Sequence, residues 1–399
     1  MKHWALSLFL FFFFWEVFSL FPSKNASLEQ VKTSSPFALP GIINVHSELS
    51  DGTESIPQLA ALAKELGHSF VVFADQDTTA GRKLGLEKNY KGLDAFIEIE
   101  NTTPSGELLT FFSHTALSRA SARELETAAY DHYLGNRKIP ELFVSISHPS
   151  HVKKPWKQLE KFPDGLEVIN FDSLFWRKLS SHPLDFLGIS AIYPLNPFLA
   201  ALRFVEPFQK DLFTWDNMNS LGSKHFGILS SQFNRKIPIP IEDRSWPTYR
   251  EVFSTGSNVV FLKEAPHEDF ETRKKQIYEA IRNSRIAMVF QMIFPFAEND
   301  HFLSCPQGQF RSGEVTQGSL ANCEWVIRVP QHLPYASRAR IFKNSELTKE
   351  VTLSQAETRV PLEGPGTYRT EIQVRPHSQF WILMRKWVPY VLYNPIGCR

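Results

Sequence analysis

From Phe37 to about residue 290, short apolar runs alternate with stretches of helical period, which predicts strands joined by helical crossovers in a largely parallel sheet. The runs are Gly41 to Val45, Phe70 to Ala74, Ala95 to Ile99, Leu108 to Phe112, Phe143 to Ser147, Leu166 to Ile169 and Phe226 to Leu229. The first helix is signalled at both ends. Ser55 caps it with Gln58 three residues on, Leu59, Leu62, Ala63 and Leu66 form its apolar stripe, and Gly67 ends it. After Pro295 the helical period disappears. Short β-type runs follow one another at Trp325 to Val329, Arg338 to Phe342, Glu350 to Leu353, Thr367 to Val374 and Phe380 to Met384, the texture of a small all-β sandwich. The start of the chain is different again. Lys2 and His3 precede an apolar run from Trp4 to Trp15 broken only by Ser7, about the length of a signal-peptide core and short of the roughly 20 residues that span a bilayer. Glu16 interrupts the run and Val17 to Phe21 can extend it, so residues 1–26 read as a signal peptide or an uncleaved anchor, with a polar linker over 27–36. The protein is expected to be exported, to the periplasm or the cell exterior or tethered by its N-terminus, and to meet a membrane only through that segment.

Composition narrows the function classes. The chain has 399 residues, 43% hydrophobic and 21% charged, which suits globular domains rather than a disordered or multi-span protein. Lys plus Arg is 43 against 42 for Asp plus Glu, and no long basic run offsets that balance, so nucleic acid is excluded as a main partner. Three cysteines without CxxC spacing make neither a zinc ribbon nor a disulfide scaffold. Cys305 and Cys323 flank the domain junction and can pair in an oxidising compartment, leaving Cys398 over.

Functional groups of parallel α/β folds collect at the carboxyl ends of strands, so the residues following each apolar run carry the candidate chemistry. Strand one is followed by Asn44, His46, Ser50 and Asp51; strand two by Asp75, Gln76 and Asp77; strand three by Glu98 and Glu100; strand five by His148-Pro149; the late strand by Ser231, Gln232 and Asn234. Asn44 and His46, two apart on a strand, share a face, as two ligands of one ion require. His, Asp and Glu from several strand ends suit Zn, Mn or Fe. Singly, each residue has an ordinary explanation. Asp51 before Gly52 makes a turn, Asp77 caps a helix, and a histidine before proline packs. Glu98 is harder to dismiss, because an unpaired buried carboxylate costs several kcal/mol.

In this order the motifs resemble those of the PHP superfamily, named for polymerase and histidinol phosphatase. Asn44-Val45-His46 with Ser50-Asp51-Gly52 stands where the family has His-x-His and Ser-Asp-Gly, Asp75-Gln76-Asp77 for Thr-Asp-His-Asp, Glu98 for its strand-three glutamate, His148-Pro149 for its His-Pro, and Ser231-Gln232-Phe233-Asn234 for its late Gly-Ser-Asp-x-His. The stretch Ala280 to Arg285 and the near-terminal Tyr393-Asn394-Pro395-Ile396 are similar to an exported branch of carbaryl-type hydrolases with an immunoglobulin-like domain behind the metal domain. The resemblance implies an α/β fold, a distorted (β/α)7-type barrel over 37–294 followed by an immunoglobulin-like sandwich over 295–399. It also implies a centre for up to three metal ions, from which this chain departs. Asn44, Gln76, Gln232 and Asn234 stand at ligand positions, and a carboxamide offers only a neutral oxygen to a first-row metal. His46, Asp51, Glu98 and His148 are the surviving ligands, Glu107 a candidate fifth, and Glu98 with His148 the best-preserved subsite. The expectation is therefore a degenerate centre holding at most one divalent ion (Zn, Mn or Fe), weakly or not at all, with weak or absent hydrolase activity and a small-molecule ligand in the barrel cleft. The competing expectations are a one-ion hydrolase of a phosphoester, amide or carbamate, using Glu98, His148 and His46, and a structural or adhesion protein acting through its β-sandwich.

Overall fold

A computed structural model describes residues 37–103, 105–112, 141–157, 164–205, 209–220, 224–232, 237–238, 245–296, 299–330, 333–376 and 387–398, with positions 7, 10, 11 and 14 of the leader. The remainder of the leader and linker, Asn234, and the strand expected at Phe380 to Met384 lie outside the described residues. Among the described residues no helix is long and apolar enough to cross a membrane.

The protein is mixed α/β. The first region contains β1 (Ala38–Val45), α1 (Ile56–Glu65), β2 (Phe70–Phe73), α2 (Ala80–Lys83), β3 (Lys88–Tyr90), β4 (Leu93–Ile97), β5 (Ile99–Thr103), β6 (Gly106–Phe111), β7 (Phe143–Ser147) and β8 (Gly165–Asn170). There follow α3 (Phe171–Ser181), α4 (Pro183–Ile192), α5 (Pro197–Phe204), α6 (Gln209–Ser220), β9 (Phe226–Ser230), β10 (Ile237–Pro238), β11 (Ser245–Trp246), α7 (Tyr249–Thr255), β12 (Ser257–Phe261), α8 (Phe270–Arg282) and β13 (Ile286–Val289). Parallel ladders join β1 to β2, β2 to β4, β7 to β8 and β8 to β9. β5 continues β4 beyond Glu98, pairs antiparallel with β6, and β6 pairs antiparallel with β7. β9 meets β1 at Ser230 and Ile43, so the ladders close on themselves as a barrel. The antiparallel stretch departs from the expected run of parallel strands. Only two residues separate β5 from β6, too few for a crossover.

Local signals behave as their chemistry dictates. The Gln58 side chain accepts from the Ser55 backbone N at 3.0 Å, and Gly67, at φ +80°, turns the chain out of α1. An aromatic cluster fills the barrel, with the Phe111 and Phe143 rings stacked at 4.4 Å. Two of its rings lie over glycines of the paired strand. A Cβ at Gly41 would sit 2.3 Å from the Phe70 ring, and one at Gly165 2.3 Å from that of Phe226, so neither position has room for a side chain.

The second region is all β: β14 (Asp300–Cys305), β15 (Gly308–Phe310), β16 (Val315–Thr316), β17 (Glu324–Arg328), β18 (Ala336–Lys343), β19 (Glu346–Leu353), β20 (Glu357–Pro361), β21 (Gly366–Arg375), β22 (Val388–Tyr393) and β23 (Ile396–Cys398). One sheet has the order β15-β14-β17-β20, and it packs on the other through Trp325 and Tyr368, ring centroids 5.5 Å apart. Cys305 and Cys323 are disulfide-bonded, and Cys398 is free and buried. The two regions are tied together by strand pairing, hydrogen bonds and an ion pair. β22 adds antiparallel to β13, Asn394 bonds both the N (2.7 Å) and O (2.9 Å) of Gly227, and buried Arg369 grips Asp216 at 2.7 and 3.0 Å.

Candidate functional site

Polar side chains converge where β1, β5, β6, β8 and β9 end or begin. Asn44 has φ +61°, and the register of β1 slips between Ile43 and Val45. Regular strand alternation is therefore lost there. Even so, both Asn44 and His46 reach one acceptor. Asn44 Nδ2 donates to Glu100 Oε1 at 2.9 Å and to Glu167 Oε1 at 2.7 Å, while His46 Nε2 lies 3.2 Å from Glu100 Oε2. His46 Nδ1 lies 2.6 Å from Asp51 Oδ1. His148, at φ +52° just past β7, points Nε2 to Glu107 Oε2 at 3.4 Å and Nδ1 to Ser173 Oγ at 3.1 Å. Asp77, whose N donates to Glu100 O at 2.9 Å, also has a positive φ, so three non-glycine residues beside the pocket adopt a conformation that gathers at functional sites.

The carboxamides hold these acids. Gln232 Nε2 donates to Glu100 Oε2 at 2.7 Å, Gln76 Nε2 to Thr102 Oγ1 at 2.9 Å and Glu107 Oε1 at 3.3 Å, and Asn170 Nδ2 to Glu167 Oε2 at 2.7 Å. Lys154 Nζ sits on Glu107 Oε1 at 2.6 Å. A carboxylate only accepts, so each amide must turn its NH2 inward. Asn44 Oδ1 is left buried without a partner among the described residues. Burial alone would lower His46, but the hydrogen bonds and charges of Asp51 and Glu100 carry its pKa well above the ordinary imidazole value. His148 likewise rises: burial opposes its charge, and Glu100, Glu167, Glu107 and Asp172 outweigh it. Burial would raise Glu100, yet His46, then His148 and the Asn44 amide, hold it below the usual carboxylate range. Glu167 is raised, chiefly by burial.

Of the residues expected at a metal centre, the structure brings His46, Asp51, His148, Asn44, Gln76 and Gln232 into this connected group. Glu98 is elsewhere. Its carboxylate takes the Tyr278 hydroxyl at 3.0 Å, Lys274 Nζ at 3.1 Å and an Arg82 nitrogen at 3.4 Å. The reason is local: the strand is interrupted at Glu98, between β4 and β5, and Glu100 takes the place beside His46 and His148 that Glu98 was expected to fill. Asp75 braces the turn after β1, accepting from Ser47 N (2.7 Å), Ser47 Oγ (2.7 Å) and Ser50 Oγ (2.6 Å). Glu167, Asn170 and the pair His151–Asp172 at 3.2 Å went unread in the sequence. A signal existed for Glu167, a carboxylate inside the apolar run of β8 that had to find partners when buried.

Glu100, Glu107 and His148 each offer a ligand atom within 4.8 Å of the other two. Two carboxylates and an imidazole are a donor set that divalent transition metals accept. The rest of the pocket fits a multi-ion centre poorly. Asn44, Gln76 and Gln232 turn N–H groups toward the acids, and an ammonium already occupies one oxygen of Glu107. An ion at the Glu-Glu-His group would share Glu107 with the Lys154 ammonium, which sits on Oε1 while Oε2 faces His148, and would meet those N–H dipoles.

No family model and no curated protein sequence matches the chain. Among solved structures it is similar to a candidate metal-dependent phosphoesterase from Bifidobacterium adolescentis, at 18% identity and a TM-score of 0.25, over 33% of this chain and 77% of that one. It is also similar to a two-domain protein from Bacteroides vulgatus containing a predicted PHP-like metal-dependent phosphoesterase, at 13% identity and a TM-score of 0.37, over 91% of this chain and 98% of that one. At these identities and scores the likenesses decide neither activity nor ligand.

Proposed function

We propose that the chain is an exported protein of PHP-like build, a distorted (β/α)7-type barrel followed by an immunoglobulin-like sandwich, whose metal centre has become a metal-free, hydrogen-bonded pocket with a binding role. One observation carries this reading: both oxygens of Glu100 and of Glu167 accept from carboxamides, and Glu107 from Lys154. Carboxamide N–H groups, two imidazoles and a lysine of the protein itself thus satisfy the acids that metal ions bind elsewhere. A divalent ion gains little where its neighbours present N–H rather than lone pairs, and each lost ligand weakens affinity by about 10- to 100-fold or more. Export is supported by the apolar Met1 to Phe21 leader and by the Cys305–Cys323 disulfide, a bond of oxidising compartments.

The test restores what the sequence has replaced. In the full chain, Gln76→His, Gln232→Asp and Asn234→His together should raise Mn or Zn affinity by about 100-fold or more over the parent. The parent should not turn over p-nitrophenyl phosphate. An unchanged affinity in the triple variant, with tight binding already in the parent, contradicts the reading. The proximity of Glu100, Glu107 and His148 favours a second reading, a one-ion hydrolase of a phosphoester, amide or carbamate. That reading predicts Mn-dependent turnover in the parent, lost on Glu107→Gln.

A further inference from the structure

Between β8 and β9 the chain inserts α3, α4 and α5, and two features of this insertion take no part in the polar pocket. The first is α4, apolar on both sides. Phe186, Ile189 and Ile192 are buried, while Leu184 and Leu187, three apart on the opposite face, are 83% and 62% exposed. Exposed apolar positions continue through Ala191, Pro194 and Leu195. A lone surface leucine needs no explanation, but a contiguous apolar stripe marks a contact surface.

The second feature is where the stripe leads. Beyond Ile192 the chain lines a cavity of about 260 Å³, walled by Tyr193, Pro197, Phe198, Phe204, Val252 and Met292. That is near the lower end of the roughly 300–1,000 Å³ of ligand pockets. Its carboxylate, phenol and threonine hydroxyl are already engaged. The Glu251 carboxylate accepts from the Tyr193 hydroxyl and from Thr248 N at 2.7 Å, and Thr255 Oγ1 donates to Glu251 O at 2.7 Å. Nothing cationic lines it to receive an acid headgroup, and the wall carboxylate repels one. Hydrocarbon is the content these walls favour.

A protein partner could cover the stripe but has no need of an apolar cavity at its end. A lipid accounts for both. We propose that the α3–α5 insertion is a lipid-binding face: the stripe rests on the apolar layer of a membrane and the cavity takes the end of one acyl chain. This goes beyond the metal-free pocket and does not depend on it. The apolar leader would bring the chain to the same phase. The two sites adjoin through α3 and α7. Asn170 of the polar pocket caps α3 through Ser173 N at 2.9 Å, and Tyr249 of α7 donates to His46 O at 3.0 Å.

The test uses the full chain in phosphatidylcholine vesicles containing a phosphatidylcholine with a diazirine at the end of its acyl chain. After photolysis of the chain with its leader retained, adducts are expected on residues 193–205 and 251–255 as well as on the leader, which serves as an internal standard. Ala201→Trp fills the cavity and should lower the cavity adducts by about tenfold or more, leaving leader adducts unchanged. Leu184→Asp with Leu187→Asp, both on the surface and so harmless to the core, should do the same. Adducts confined to the leader, or cavity adducts that survive Ala201→Trp, overturn the proposal. So does cross-linking of α4 to a second copy of the chain in place of lipid.

Discussion

Glu98 and Glu100 lie two residues apart, both fully buried, in opposite company. Glu98 is surrounded by permanent cations and a phenol: Lys274, Arg82 and Tyr278. Glu100 is surrounded by two carboxamides and two histidines. The first cluster pins α2 and α8 to the barrel wall and has no spare valence. In the second, neutral donors and titratable rings hold an acid that fixed charges would hold more firmly. A buried carboxylate is therefore no sign of a functional site by itself. What distinguishes the sites is whether the partners are permanent charges or groups that can turn, titrate or give way to a ligand.

The comparison breaks first at Glu98. Glu98→Gln leaves Lys274 and Arg82 to share the one carboxylate of Glu87 and should cost about 3–4 kcal/mol in urea unfolding, with metal affinity unchanged. A loss no larger than that at Glu100 would mean the two clusters are alike. Glu100→Gln should cost less, about 1–3 kcal/mol, because His46 and His148 can shed the proton that Glu100 helps them keep, whereas Lys274 and Arg82 stay charged. It should also change the pH profile. His46 has its pKa raised on folding, so its share of stability is complete below about 6.5 and is lost as pH climbs through the folded value. Glu100 has its pKa lowered, so its share is present above about 4.3 and is lost as pH falls through the folded value. Unfolding measured from acid to alkaline pH should show both limbs in the parent and a flatter curve in Glu100→Gln. The smallest effect on stability is expected at Lys154. Its side chain is 59% exposed, so Lys154→Met should shift stability by under about 1 kcal/mol. Because it removes the ammonium and leaves Glu107 Oε1 only the Gln76 amide at 3.3 Å, it should raise Zn or Mn affinity by about tenfold. An affinity that does not move would show that the ammonium is not what keeps an ion out.

The strand-end positions are legible in the sequence because a barrel gathers polar groups at one rim and little else breaks its apolar runs. His46, Asp51, His148 and the amides at 44, 76 and 232 can be read that way. The choice between Glu98 and Glu100 cannot. In Ile97-Glu98-Ile99-Glu100 strand alternation gives both acids one face, and only the interruption of the ladder at Glu98 separates them. The fold shows the same division. Turn residues and alternation locate β17, β18, β19 and β21 to within a few residues. The pairing of β22 with β13 spans about a hundred positions and leaves no local mark.

The most direct test of the central claim is metal content. The full chain, purified and dialysed against micromolar Zn or Mn, should retain less than about 0.2 ion per chain, with the same result in His148→Ala and Glu107→Gln. Near-stoichiometric metal in the parent, abolished by both changes, would contradict the account and restore a working centre at Glu100, Glu107 and His148.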